Sequence, residues 1–210
     1  MDRQEKITAL RDLKKEMNLD KSLPLRKGAT NLVFGEGNPE AEILFLGEGP
    51  GYWEDQKARP FIGNAGALLN KLLQPIKLER ENVFITNVVN HRPPNNRDPL
   101  PEELEAYRPY VDKIIEIVNP KIVVTLGRFS MGKFIPNAKI SAIHGKIFRV
   151  NWNGKDLAVV PMYHPAAALR RLEVKRQLEE DFQSLPGIIA KLEEIKKEEQ
   201  KESIEQMSLV

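Results

Sequence analysis

The 210-residue sequence contains no cysteine. This absence excludes disulfide bonds, a thiol nucleophile, and zinc or iron–sulfur sites held by the chain's own thiolates. The sequence also lacks an apolar run near the ~20 residues that span a bilayer. Its charged N-terminus does not resemble a secretory signal, so we expect a cytoplasmic protein with no membrane contact.

The chain also has little excess charge of either sign. Its 32 Lys and Arg residues nearly balance its 30 Asp and Glu residues, for a net charge of +2. This balance permits a nucleic-acid partner only if the positive charges cluster on one surface. The length predicts one domain, which we place at residues 1–196, and the highly charged residues 197–210 predict a disordered tail. We expect a monomer.

Four short apolar segments, rich in β-branched residues, are spaced widely along the chain at 41–47, 82–88, 121–127 and 158–163. Segments that are apolar on both faces are typical of buried parallel strands. Helical patterns lie between them, at about 63–76, 101–118 and 127–134. This alternation predicts an α/β fold in which helices flank a parallel sheet.

Other local patterns predict smaller elements. Apolar residues at helical spacing predict a helix over residues 3–18, and a short strand is expected near residues 31–34. Residues 148–157 predict a hairpin, because they contain the turn dipeptide Asn153-Gly154. A helical run follows His164, and we expect an interruption at Pro186-Gly187.

Unusual polar residues and glycines follow the ends of all four predicted strands. Gly47-Glu48-Gly49-Pro50-Gly51 follows the first strand, Asn87 ends the second, Gly127-Arg128 follows the third and His164 the fourth. Ligands of open α/β sheets bind beyond the carboxyl ends of the strands, so this convergence predicts a binding site. The glycine-rich loop alone is also compatible with a plain tight turn, and it matches neither a Walker nor a dinucleotide pattern.

The residues after His164 have a composition that suits a DNA groove. Pro165 is followed by three alanines, then by Leu169, Arg170 and Arg171. An apolar residue can act as a wedge in the base stack while arginines bind phosphates. The simpler interpretation is the opening of the last helix, and both interpretations are compatible.

Three segments together resemble the family 4 uracil-DNA glycosylases of bacteria and archaea. They are GEGPGYWEDQKARPFIGNAGALL, ITNVVNHRPPNNRDPLPEE and YHPAAALRR, and the resemblance covers roughly residues 20–185. It implies the glycosylase fold, with a central four-stranded parallel sheet flanked by helices on both sides. It also implies a monofunctional hydrolase that cleaves the N-glycosidic bond of flipped-out deoxyuridine in DNA and so starts base excision repair.

The resemblance implies roles for residues that bind the base. Phe61 would stack on the flipped uracil, and Asn87 would read its Watson–Crick edge. Glu54 would close the pocket near C5 and disfavour thymine, while Gly47 would line the uracil site. An Asn amide matches the N3–H donor and O4 acceptor of uracil, whereas cytosine offers the reverse pattern.

The resemblance also implies the residues that carry the reaction. His164 would contact uracil O2 as the bond breaks, with Glu48 and Gly49 beside the attacked sugar carbon. In the best-known uracil glycosylases an Asp fills the place of Gly49. We therefore expect loop carbonyls to orient the attacking water, with Glu48 as the nearest carboxylate.

The sequence departs from the family at an iron–sulfur site. The family normally holds a four-iron, four-sulfur cluster on four cysteines, and those positions are Asp20, Leu23, His91 and Tyr107 here. We expect no cofactor and a repacked site, in which Asp20 and His91 could form a polar contact. A replacement metal on Asp20 and His91 would be short of ligands.

Two other functions stay open from the sequence. Loss of the cluster, together with Gly49, is compatible with a catalytically silent module that binds uracil or damaged DNA on the same fold. Altered base choice, such as hypoxanthine or xanthine, is a minor alternative, because Gly49 and Gly51 could leave room in the pocket.

Overall fold

The computed structural model describes residues 1–207, with the side chains of residues 1–192, 194–195 and 198. Its centre is a six-stranded sheet with the strand order β1-β3-β2-β4-β6-β5. The strands are β1 (Glu36–Gly37), β2 (Ile43–Gly47), β3 (Phe84–Asn87), β4 (Ile122–Leu126), β5 (Phe148–Trp152) and β6 (Lys155–Met162).

The four central strands, β3, β2, β4 and β6, are parallel. They correspond to the four predicted apolar segments, so the predicted parallel sheet is confirmed. The sheet is larger than predicted, because β1 and β5 add antiparallel strands at its two edges. The strands β5 and β6 form the predicted hairpin, and Asn153 and Gly154 both have positive φ, as its tight turn requires.

Eight α-helices occur among the described residues. The predicted helices are present at or near their expected bounds, whereas α2, α6 and α7 have only four to six residues and are too short to show a helical period. The helices are α1 (Arg3–Leu19), α2 (Tyr52–Lys57), α3 (Asn64–Leu73), α4 (Pro101–Val118), α5 (Arg128–Gly132), α6 (Ile140–Ile143), α7 (Pro165–Ala168) and α8 (Leu172–Met207).

Apolar layers cover both faces of the sheet. Leu44 and Leu46 of β2 pack in the layer that contains α1 and α4. Phe45, between them, points to the opposite face and stacks on Phe182 of α8, with ring centroids 5.9 Å apart. This alternation explains why the central strands are apolar throughout, and it confirms the predicted helices on both sides.

The predicted strand near residues 31–34 is wrong. Residues 31–34 are irregular, and the short edge strand lies just after them at Glu36–Gly37. The amide of Asn90 satisfies this irregular backbone, because its Nδ2 donates to the carbonyls of Val33 and Phe34 at 3.1 Å. Buried side-chain donors thus replace the hydrogen bonds that a strand would have made.

The predicted interruption at Pro186-Gly187 is also wrong, because α8 continues through Pro186. Proline removes one backbone hydrogen bond, yet Phe182, Leu185 and Leu192 are buried on both sides of it and keep the helix packed on the core. The helical backbone extends to Met207, past residue 196, and residues 208–210 of the predicted tail lie outside the described residues.

No helix within residues 1–207 is long and apolar enough to cross a membrane.

The topology places a crevice at the carboxyl end of β2. The chain leaves β2 to form β3 on one side and later returns to form β4 on the other. Ligand sites of open α/β sheets lie at such switch points, outside the carboxyl ends of the strands. Gly47 and Asn87 pair directly in the register of β2 and β3, so both end at this crevice.

Candidate active site

A cleft of about 760 Å³ opens at this carboxyl edge of the sheet. Its walls come from the loops that follow all four parallel strands, so the predicted convergence of distant residues is present. The lining includes predicted residues from each of these loops, namely Glu48, Gly49, Glu54, Phe61, Asn87, Gly127, Arg128, His164, Arg170 and Arg171.

Gly47 is buried at the end of β2 and does not line the cleft itself, but two side chains that do line it occupy the space that a Cβ would need. A Cβ on Gly47 would lie 2.6 Å from Cε2 of Phe61 and closer still to Oδ1 of Asn87. Real Cβ atoms do not make such contacts, so any side chain here would displace Phe61 or Asn87. Gly47 thus allows an aromatic ring and an amide to meet at one point.

Asn87 offers an unused hydrogen-bonding atom. The residue is only 1% exposed, and its Oδ1 has no hydrogen-bond partner among the described residues. An unsatisfied buried acceptor costs about 1–3 kcal/mol, so most such atoms in native proteins are paired. Because Asn87 lines the cleft, this unpaired acceptor lies beside the space that a ligand would occupy.

Phe61 adopts a conformation that a side-chain-bearing residue rarely takes, with φ at 50°. This left-handed backbone turns the ring toward Gly47 and His164, whose ring centroid lies 5.5 Å away. Glu54 holds the turn from one side, because its Oε1 accepts hydrogen bonds from the amides of Ile62 and Gly63 at 3.0 and 2.8 Å. Glu54 therefore lines the cleft, as expected, and also fixes Phe61.

Arg80 holds the same turn from the other side. Its guanidinium donates to the carbonyls of Pro60 and Phe61, the latter at 3.1 Å. Nε of Arg80 also donates to Oε1 of Glu36 on β1 at 2.7 Å, and the Arg80 side chain is only 13% exposed. Sequence analysis did not identify Arg80, since it lies in a charged segment and makes backbone contacts that no motif reveals.

His164 is built into the N-terminus of α7. Its Nδ1 accepts a hydrogen bond from the amide of Ala166 at 3.1 Å. This contact leaves the ring proton on Nε2, which is therefore the donor of the neutral imidazole. Although part of the ring is exposed at the cleft, it sits deep among protein atoms, and this desolvation lowers the pKa of His164 to about 4.

Glu48, in the loop that follows β2, places a carboxyl group in the lining of the cleft. Burial raises the pKa of Glu48, while the amide of Phe129 and the charge of Arg128 act against that shift. The carboxylate packs against Gly127, where it occupies the space that a Cβ would need, and the φ of 102° at Gly127 also favours glycine. A carboxylate with a raised pKa is a stronger base than an exposed one.

Two carbonyls of the Gly47–Gly51 loop differ from the others because they accept no backbone hydrogen bond from the described loops and turns. The carbonyls of Gly47 and Glu48 accept the amides of Val88 and Val89, and the carbonyl of Gly51 accepts that of Asp55. Among the described residues, no backbone amide outside regular helices and strands donates to the carbonyls of Gly49 or Pro50.

The loop glycines do not enlarge the pocket. A Cβ on Gly49 would meet Val89 at 2.9 Å, and one on Gly51 would meet Glu54 at 2.8 Å. The missing side chains therefore make room for the protein's own side chains. The sequence argument that these glycines leave room for a larger base has no support in this geometry.

The residues expected to contact DNA differ in their accessibility. Pro165 is buried in the first turn of α7, so it shapes the backbone and offers little surface. Leu169 is 51% exposed at the end of α7. Arg170 and Arg171 are exposed and line the mouth of the cleft.

The four positions of the family's iron–sulfur site do not fit a cluster. Leu23 has no ligating atom and is buried in the core. Asp20 accepts hydrogen bonds from Ser22 and Tyr110, while Nδ1 of His91 lies 2.8 Å from the hydroxyl of Tyr107. The suggested Asp20–His91 contact is therefore wrong, because each side chain has found a nearer partner.

The described residues also show no alternative metal centre. No group of three or more His, Asp or Glu side chains among them is placed to hold a metal ion.

Comparison with known proteins gives the family of the chain. The model of the uracil DNA glycosylase superfamily matches residues 34–185. The chain belongs to the uracil-DNA glycosylase superfamily. The matched segment contains every strand from β1 to β6 and every residue of the cleft described above.

Curated relatives place the chain close to the type-4 members of this superfamily. The type-4 uracil-DNA glycosylase of Sulfurisphaera tokodaii is 46% identical over 85% of this chain and 84% of its own length. The type-4 enzyme of Archaeoglobus fulgidus is 43% identical over 88% of this chain and 96% of its own length. That of Thermotoga maritima is 42% identical over 80% of this chain and 88% of its own length. These matches confirm the resemblance to family 4.

Arg80 gives the first prediction, because it positions Phe61 without reaching the cleft. We expect Arg80→Ala to lower the rate of uracil release from uracil-containing DNA roughly 10- to 100-fold, as misplaced binding groups do. Added guanidinium chloride should restore part of the rate, whereas an equal concentration of sodium chloride should not. Arg59→Ala is the matched control, since Arg59 also pairs with Glu36 but is exposed. An unchanged rate in Arg80→Ala would contradict the assigned role.

The His91–Tyr107 pair gives a prediction on stability. Burial, with a smaller effect from Arg26, lowers the pKa of His91 to about 4 from its ordinary 6.5. Between these values the unfolded chain binds a proton that the folded chain excludes, so stability falls as the pH drops. The free energy of unfolding of the wild type should therefore fall between about pH 7 and 4.5, and His91→Gln should reduce this fall by at most about 3 kcal/mol. Denaturant titrations across this pH range measure it.

Tyr107→Phe is the control for this titration. It removes the hydroxyl near Nδ1 but keeps the buried imidazole, so stability should drop by about 1 kcal/mol at every pH. Parallel stability curves for the wild type and His91→Gln would show that His91 is not excluded from protonation in the folded state.

Proposed function

We propose that the protein is a monofunctional uracil-DNA glycosylase, which hydrolyses the N-glycosidic bond of flipped-out deoxyuridine and starts base excision repair. The observation that carries this proposal is the unpaired, buried Oδ1 of Asn87 beside the ring of Phe61. An enzyme that works on one base must extrude it from the stack and hold it by stacking and edge contacts. This cleft offers both.

Base recognition follows from the donors and acceptors of the amide. Oδ1 of Asn87 would accept the N3–H of uracil, and its NH₂ group would donate to O4. Cytosine presents an acceptor at N3 and a donor at C4, so both contacts would fail in a desolvated pocket. Each failure costs about 1–3 kcal/mol, which is sufficient for strong discrimination. Glu54, on the same wall, is proposed to exclude the C5 methyl group of thymine.

His164 is proposed to stabilise the departing base. Cleavage of the glycosidic bond leaves negative charge on uracil, shared by O2. The Nε2–H of neutral His164 can donate to O2 as this charge develops, since Nδ1 is already occupied by Ala166. The low pKa keeps the imidazole neutral near pH 7, so it acts as a hydrogen-bond donor and not as a proton source.

The attacking water is proposed to bind at the Gly47–Gly51 loop. The carbonyls of Gly49 and Pro50 would orient it, and Glu48 would accept its proton. A sugar that already carries positive charge in the transition state needs only a positioned, weakly activated water. Gly49 in place of an Asp is therefore compatible with catalysis.

The mouth of the cleft carries groups that suit DNA. Arg170 and Arg171 would bind phosphates, and Leu169 would fill the space that the flipped base leaves in the duplex. We propose that the enzyme works as a monomer in the cytoplasm and without a cluster. The absence of a cluster is supported by the hydrogen bonds that Asp20, His91 and Tyr107 already make within the protein.

The proposal is tested by incubating the pure protein with a uracil-containing oligonucleotide and then with alkali. We expect strand breaks only after alkali, because none of the described residues that line the cleft is a lysine that could act as a Schiff-base nucleophile. Asn87→Ala and His164→Ala should each lose most of the activity, since each removes a direct contact with the base. The matched control is Asn18→Ala, on the exposed end of α1. The same active preparation should contain no stoichiometric iron.

The absence of abasic product above a no-enzyme control would refute the catalytic proposal. Uracil-dependent retention of the oligonucleotide in a shift assay, without released base, would instead support the silent binding module.

A further inference from the structure

Two neighbouring aromatic side chains are exposed beside the cleft. The chain has eight Phe, four Tyr and two Trp. Among the aromatic side chains that the structure describes, only Tyr52, at 49%, and Trp53, at 59%, are exposed. Both belong to the first turn of α2, directly after the Gly47–Gly51 loop. Large apolar side chains that cluster on a surface commonly mark a binding site.

Contacts connect this pair to the mouth of the cleft. The guanidinium of Arg92 lies 5.2 Å from the ring centroid of Tyr52 and donates to Oδ1 of Asn96, which lines the cleft. Trp53 approaches the other side, since a Cβ on Gly63 would lie 3.7 Å from its Cδ1. The two rings do not line the cleft themselves, but they adjoin it through Arg92 and Asn96 and through the cleft loop that precedes α2.

The geometry of the pair is already fixed without a ligand. The rings of Tyr52 and Trp53 meet edge to face, with centroids 5.1 Å apart and an interplanar angle of 78°. Arg92 packs against the Tyr52 ring, so a positive charge lies beside this aromatic pair. A cation with aromatic rings is the chemistry by which proteins hold single-stranded nucleic acids.

We propose that Tyr52 and Trp53 form a second nucleobase contact, which stacks on an unpaired base of single-stranded DNA next to the flipped nucleotide. The inference rests on the proposed function, because it takes the cleft as the uracil pocket. Arg170 and Arg171 lie at the same mouth and would hold phosphates. Only an unpaired base can present its face to the rings, since a base in a duplex is covered by its neighbours.

The test uses DNA without uracil, so that binding is measured apart from catalysis. One probe is an oligomer of about fifteen thymidines, and the other has the same backbone but lacks all bases. We expect Tyr52→Ala/Trp53→Ala to weaken binding of the thymidine oligomer by roughly tenfold or more, the usual loss when base–aromatic stacking is removed. Binding of the abasic oligomer should change by less than about twofold, because its phosphate contacts remain.

Two further variants control for folding and for loss of apolar surface. Tyr52→Phe/Trp53→Phe keeps an aromatic ring at each position, so it should bind the thymidine oligomer within about threefold of the wild type. Leu19→Ala removes an exposed apolar side chain at the end of α1, outside the cleft lining, and should bind as the wild type does.

The outcomes separate this inference from the proposed function. Equal affinity of the wild type and the double alanine variant for the thymidine oligomer would overturn the stacking contact, and a protein partner would then better explain the exposed rings. An equal loss on both oligomers would also overturn it, since the effect would not depend on bases. Base-dependent binding in a protein that releases no uracil would support the contact while refuting the glycosylase activity.

Discussion

The close approach of Phe61 and Asn87 to the backbone of Gly47 is the constraint on which the site depends. Gly47 and Asn87 are paired across β2 and β3, so the sheet itself fixes the amide. The ring of Phe61 comes from a loop and must be held against that edge in a left-handed conformation, which costs about 1–3 kcal/mol. Glu54 and Arg80 offset this cost by hydrogen bonds to the turn on either side of the ring.

The consequence is a pocket whose polar atoms are fixed before the base arrives. Asn87 presents an acceptor and His164 a donor, and both are set by the protein's own hydrogen bonds or burial. In a desolvated cleft such groups act more strongly than in water and need no rearrangement during the reaction. The strain at Phe61 and the unpaired Oδ1 of Asn87 both lower the stability of the fold. A bound uracil would stack on the Phe61 ring and pair with Oδ1.

The sequence predicted the parts of this site that depend on topology. Asn87 ends β3 and His164 closely follows the end of β6. The carboxyl ends of parallel strands meet at one edge, so their convergence followed from the strand pattern. Arg80 could not be predicted, because its partners are backbone carbonyls exposed by the turn at Phe61. The Asp20–His91 pairing was predicted wrongly for a related reason. The family resemblance brings Asp20 and His91 into one region, but it does not determine that they pair with Tyr110 and Tyr107 and not with each other.

The errors in the fold have equally local causes. Residues 31–34 are apolar enough for a strand, but Asn90 satisfies their backbone instead. Pro186 carries a helix-breaking signal, but burial of the residues around it keeps α8 continuous. In both cases a tertiary contact outweighs a local preference, and no single-residue pattern contains that information.

Recognition of uracil is proposed to depend on one hydrogen bond, in which Oδ1 of Asn87 accepts the N3–H of the base. The most direct measurement is the affinity of the protein for free 1-methyluracil and 3-methyluracil by calorimetry. We expect 1-methyluracil, which keeps the N3–H, to bind roughly tenfold or more tightly than 3-methyluracil, which lacks it. Equal affinities for the two compounds, or tighter binding of 3-methyluracil, would contradict it.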